Sequence, residues 1–132
     1  MSHNKTPMPM DQAFAHVRVL DFTRVLAGPF ASFQLAVQGA QVIKVEQPGG
    51  EETRNMARER LWAERQMAPI WMSVNANKRS ITLDLSKPSA ISVVKRLAAQ
   101  ADVVVENFRP GVMSRLGIGY EQLSALNPKL IY

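Results

Sequence analysis

Three short stretches of this 132-residue chain hold the side chains from which a site for a phosphorylated ligand is built. Asn107-Phe108-Arg109 sets an amide, an aromatic ring and a guanidinium next to one another, and Arg115 follows shortly after. A guanidinium offers paired donors that match the geometry of a phosphate. At Gly28-Pro29 a ligand can come close to the backbone, because glycine carries no Cβ. A helix starting at Pro29 would present unpaired N–H groups to an anion. Each feature also has a plain structural reading. Gly28-Pro29 can be only a turn, Phe108 only core, and Arg109 and Arg115 only surface cations. On residue type alone both readings stand.

Other chemistries lack their parts. No cysteine occurs, which excludes disulfides, thiolate zinc sites and a cysteine nucleophile, and fits a cytoplasmic protein. The two histidines, His3 and His16, have no partner at metal-ligand spacing, so no metal is expected. His16 stands just before a strand and reads as structural. Neither a Gly-x-Ser-x-Gly elbow nor a Walker A loop is present. The first strand–helix junction, Arg24-Val25-Leu26-Ala27-Gly28-Pro29, has one glycine where a dinucleotide fingerprint needs three.

The elements that must position the candidate residues follow from hydrophobic periodicity. Val17-Arg18-Val19-Leu20-Asp21-Phe22 is apolar and β-branched and reads as a strand. A helix from Pro29 carries Phe30, Phe33, Leu35 and Val37, with Gly39 as its C-cap. Gln41-Val42-Ile43-Lys44-Val45-Glu46 is a second strand, followed by the loop Gln47-Pro48-Gly49-Gly50. Residues 51–65 read as a weakly amphipathic helix, and residues 69–77 have no clear pattern. Ser80-Ile81-Thr82-Leu83-Asp84-Leu85 alternates as a strand, and Ser86 is placed to cap a helix with Pro88 in its first turn. Ile91, Val94, Ala98 and Ala101 give that helix one buried face. Asp102-Val103-Val104-Val105-Glu106 is a strand with an apolar centre, as in a sheet covered on both faces. Residues 110–116 and 120–126 read as short helices, and Leu130-Ile131-Tyr132 as the start of another strand.

Strands alternating with helices define an α/β fold, a Rossmann-like, mainly parallel sheet with flanking helices. In such sheets ligands bind beyond the carboxyl ends of the strands. Here those ends are 25–29, 47–50, 83–86 and 107–111, which gather the candidate residues into one region. The chain stops at a strand that a crossover should follow, and so reads as truncated.

At 46% hydrophobic residues the composition is that of one globular domain, residues 16–132, behind a loose tail at 1–15. No apolar run nears the ~20 residues that span a bilayer, so no membrane association is expected. The formal net charge is +5. The closest basic cluster, Arg54, Arg58, Arg60 and Arg65, is interleaved with Glu51, Glu52, Glu59 and Glu64, the mark of a solvated helix face and not of a nucleic-acid surface. A small polyphosphate ligand suits the charge better.

Five segments in register give the chain a family resemblance. Val19-Leu20-Asp21-Phe22-Thr23-Arg24-Val25-Leu26-Ala27-Gly28-Pro29 resembles the opening of the family III CoA-transferases. So do Gly39-Ala40-Gln41-Val42-Ile43-Lys44-Val45-Glu46, the stretch from Asn75-Ala76-Asn77-Lys78-Arg79-Ser80 through Leu85, and Ala101-Asp102 through Pro110-Gly111. The likeness continues through Leu116-Gly117 to Asn127-Pro128-Lys129-Leu130-Ile131-Tyr132.

The resemblance implies a larger two-domain fold interlocked as a homodimer, which moves coenzyme A between an acyl-CoA and a carboxylic acid. It implies that backbone near Leu26 and Ala27 meets the thiol end of CoA. Leu83, Asp84, Leu85 and Ser86, with Asn107, Phe108 and Arg109, would line the nucleotide end, and Arg115 would reach a phosphate. Two positions depart from the formyl-CoA transferase pattern. Leu26 replaces a glutamine that contacts substrate, and Gln47 replaces an arginine that packs near adenine. In the family an aspartate attacks the acyl carbonyl and then carries CoA as an aspartyl thioester. That aspartate lies downstream of the segment matching 127–132, so this chain alone is expected to be inactive. Asp21 and Asp84 match structural or binding positions. A 2-methylacyl-CoA racemase fragment and a non-catalytic CoA-binding module are the competing readings.

Overall fold

The computed structural model describes residues 12–132. Most of the expected N-terminal tail lies outside the described residues. Within them, Phe14 donates its N–H to Gln38 O at 3.0 Å and packs on the sheet beside Val19 and Val42.

Among the described residues four strands form one wholly parallel sheet in the order β3-β2-β1-β4, with β1 Arg18–Asp21, β2 Gln41–Glu46, β3 Arg79–Thr82 and β4 Val103–Val105. Ile131 adds a parallel bridge beside Val103. Side-chain alternation sends Leu20, Val45, Val104 and, past the strand end, Phe22 to one face. There they meet Val94 and Ala98 of helix α4 (Pro88–Ala98), Met113 of α5 (Val112–Arg115) and Leu123 of α6 (Tyr120–Leu126). Val19, Val42, Val103 and Val105 turn to the other face, against Leu35 and Ala36 of α1 (Ala27–Val37). Helices on both faces explain the continuous apolar run of β4. Burying a side chain of the size of Phe22 stabilises the fold by roughly 1.5–3 kcal/mol.

Helix α1 begins two residues before Pro29, so the proline sits inside the first turn. Its inward face is small, with Pro29, Ser32 and Ala36 buried, while Phe30 is 51% exposed. The C-terminus closes as a Schellman motif. Gly39 N–H bonds Ala36 O at 3.1 Å, Ala40 N–H bonds Leu35 O at 3.0 Å, and Gly39 takes φ 103°.

Two local expectations are corrected, and one stretch without a clear pattern takes a defined form. Residues 51–65 do not form one helix. A 3-10 turn, Glu52–Asn55, is followed by an irregular stretch and then α2 (Arg60–Glu64). Thr53 and Arg54 turn toward buried carboxylates, and these contacts override helix propensity. Residues 69–75, unassigned from pattern, form α3 (Pro69–Asn75). Ser86 does not cap α4: the N-cap position is Lys87, and the Ser86 hydroxyl instead donates back to Asp84 Oδ1 at 2.7 Å. The third strand is accordingly shorter at its end than expected, and 83–86 becomes a turn, closed by Lys87 N–H to Asp84 O at 2.9 Å.

Candidate functional site

The loop that leaves β1 is held residue by residue by side chains from three other segments. Lys44 of β2 donates its Nζ to Thr23 O at 2.8 Å. Asn107, beyond β4, accepts Arg24 N–H and donates to Arg24 O, both at 2.9 Å. Glu51, beyond β2, accepts Val25 N–H at 3.1 Å. Val25 needs this support because its φ is 68°, a left-handed conformation that a β-branched residue rarely takes. Immediately after it the chain enters α1. Gly28 is required there, since a Cβ would stand 2.5 Å from Thr23 Cβ.

Beneath this loop lies a buried network of alternating charge. Lys44 Nζ is 2.7 Å from Glu51 Oε2, with both side chains almost wholly buried. Lys78 Nζ lies 3.0 Å from Asp21 Oδ2 and also donates to Pro29 O and Asn75 Oδ1, each at 2.9 Å. Ser32 and Thr23 hydroxyls complete the shell of Asp21. Burial pulls the Lys78 ammonium below its ordinary range, and Asp21 opposes that pull. Glu46 accepts two bonds from Arg54, one from Ser80 and one from Glu51 N–H. Burial alone would push the Glu46 carboxyl up, but these bonds outweigh it and pull it down to about 2. The Arg54 guanidinium is stacked 3.6 Å from the centroid of Trp71.

Two adjoining depressions border the turn after β3. The smaller, about 190 Å³, is lined by Gln47, Leu83, Asp84, Leu85, Ser86 and Phe108 together with Arg24. Arg24 spreads over the Phe108 ring at 4.8 Å. The hydrogen bonds from Ser86 hold Asp84 below the ordinary carboxylate range. Leu85 and Ser86 also edge the larger depression, an open groove of about 850 Å³ between α4 and the α5–α6 segment. Lys95, Arg96 and Arg115 bring three cations to it, and Ile91, Leu116 and Leu126 supply apolar wall. None of these cations is in an ion pair among the described residues.

Of the residues singled out from sequence, Gln47, Leu83, Asp84, Leu85, Ser86 and Phe108 therefore converge, and Arg115 stands in the adjoining groove. Leu26 and Ala27 are exposed at the start of α1 and line neither depression. Arg109 is exposed and also lines neither. Asn107 acts on the protein's own backbone through Arg24. Lys44, Glu51, Lys95 and Arg96 were missed. A lysine and a glutamate inside the apolar strand Val42–Glu46 were the available signal for a buried charged layer. Among the described residues no three His, Cys, Asp or Glu side chains gather as a metal site, and no helix is long and apolar enough to cross a membrane.

A wholly parallel sheet with a depression at its carboxyl ends, adjoining a groove whose three cations are in no ion pair among the described residues, defines an α/β domain of the Rossmann-like class. The pattern of CoA-transferase family III matches residues 14–132, and the chain belongs to that family. A succinyl-CoA:glutarate CoA-transferase of Mus musculus is 47% identical over 117 residues, 88% of this chain and 26% of the relative. A formyl-CoA:oxalate CoA-transferase of a Bradyrhizobium species is 44% identical over 92% of this chain and 28% of its own length. Among solved structures, Rv3272 from Mycobacterium tuberculosis superposes with a TM-score of 0.84 at 44% identity, covering 92% of this chain and 32% of that one. A CAIB/BAIF family protein from Brucella suis gives 0.84 at 37% identity, covering 93% and 33%. The chain spans about a quarter to a third of the length of the curated relatives it matches.

Proposed function

We propose that this chain is the CoA-binding, N-terminal part of an acyl-CoA:carboxylate CoA-transferase. The observation that carries the reading is the convergence of Gln47, Leu83–Ser86 and Phe108 on one cavity that runs, over Leu85 and Ser86, into a groove bearing Lys95, Arg96 and Arg115. A nucleotide in the cavity would leave its phosphates over the groove, where guanidinium and ammonium groups have no competing carboxylate. The α1 N-terminus, with Leu26 and Ala27, would meet the thioester end.

The transfer itself is proposed to use an aspartate from outside residues 1–132. Its carboxylate attacks the acyl carbonyl and expels the CoA thiolate, giving a mixed anhydride. The thiolate then attacks the aspartyl carbonyl, releasing the first carboxylic acid and leaving an aspartyl-CoA thioester. The acceptor carboxylate reverses these steps. The carboxylates nearest the cavity support an external nucleophile. Asp21, Glu46 and Glu51 are buried in ion pairs, and Asp84 is bound in its own turn. In this reading residues 1–132 supply the CoA-binding part of the site, and the assembled protein is proposed to be a homodimer.

Titration calorimetry of the chain with CoA tests the reading. The expected result is saturable one-site binding, weakened about tenfold or more by R115A, the loss of a charge-assisted bond to phosphate. Absence of binding at millimolar CoA by a folded chain would contradict it.

A further inference from the structure

Val25 poses a physical question that the cavity does not answer. A β-branched residue at φ 68° is held against its own preference, and it stands where β1 hands over to α1. Its N–H is taken by Glu51 Oε1, while Glu51 Oε2 faces Lys44, whose Nζ also holds Thr23 O. One buried ion pair therefore grips the loop on both sides of Arg24. Thr53 donates its hydroxyl to the same carboxylate, fixing its orientation. Exposed Leu26 and Ala27, and the first N–H groups of α1, follow directly. Their direction is set by the conformation of Val25.

We propose that Glu51, backed by Lys44, is a positioning residue that keeps the 23–25 loop in the shape that receives the pantetheine end of CoA. The proposal rests on the CoA reading above and adds a role that belongs to no ligand contact. A carboxylate suits the role better than an amide. It accepts from Val25 and Thr53 on one oxygen, while the other, which takes no hydrogen bond, lies 2.7 Å from Lys44 Nζ as an ion pair, so that no buried charge is left unpaired.

The test compares two ligands on the whole chain. CoA spans both ends of the site, whereas adenosine 3′,5′-bisphosphate, the probe for the nucleotide end, lacks the pantetheine arm. E51Q is expected to weaken CoA about tenfold, the loss of one hydrogen bond to a charged group, and to leave the bisphosphate unchanged. V25G in the E51Q background is expected to recover most of the loss, since glycine takes a positive φ without help. Equal weakening of both ligands by E51Q, no weakening of either, or no recovery with V25G overturns the proposal while the CoA reading stands. A wild-type chain that binds neither ligand overturns both. Should E51Q fail to fold, amide exchange in the unaltered chain decides. The Val25 N–H is expected to be protected like the sheet core, and exchange at the rate of an open loop overturns the proposal.

Discussion

Lys78 places its ammonium 3.0 Å from the Asp21 carboxylate, across 57 residues of sequence. The pair joins the turn before β3 to the end of β1, and the same ammonium holds Pro29 O in the first turn of α1. With Asp21 and Lys78 both almost fully buried, removing one partner strands the other charge in a medium that solvates it poorly. K78M is expected to destabilise the chain by about 3–5 kcal/mol in urea unfolding. D21N/K78M should cost clearly less than the sum of the two single changes, since it leaves no stranded charge. Strict additivity would mean that the two groups do not act as a pair.

Glu46 sets an acid limit. Its folded carboxyl is held near 2 against an ordinary 4.5, so the unfolded chain takes up the proton first. Its contribution is therefore complete above about 4.5 and disappears as the pH falls toward 2. The amount at stake is on the order of 3 kcal/mol. Unfolding free energies measured through this window should drop for the natural chain. The drop should be smaller in E46Q, which is less stable at neutral pH.

Much of this was legible beforehand, and the reasons differ by residue. Parallel strands were readable because Val19-Leu20 and Val103-Val104-Val105 are apolar on both faces. The cavity residues Asp84, Ser86 and Phe108 were readable because the strand ends and the family resemblance coincide there. The Glu51 loop was not. Its helical charge spacing suggests a solvated face, yet Glu51 and Thr53 are buried and only 3-10 structure forms. Ser86 misled for a related reason. A serine before Pro88 looks like a cap, but Asp84 two residues back competes for its hydroxyl. Lys95 and Arg96 were invisible as a site, because helix periodicity gives the side a residue faces and not which distant arginine it joins.

The cations of the groove make a separable electrostatic prediction. K95A/R96A should weaken CoA binding several-fold at low salt and progressively less as salt rises, because the charges are solvent-facing and screened. Circular dichroism should be unchanged. An equal loss at all salt concentrations would place these residues in packing instead of phosphate attraction.

The most direct measurement is the map of backbone amide shifts on adding CoA to the chain. The largest changes are predicted in residues 25–28, 47, 49, 50, 83–86 and 107–109, with a second group at 95, 96 and 115. The opening at the amino ends of the strands, around Arg18, Gln41, Arg79 and Gln100, should stay silent. Changes concentrated at that opposite opening, or none at saturating CoA, would contradict a CoA site at the carboxyl ends of the sheet.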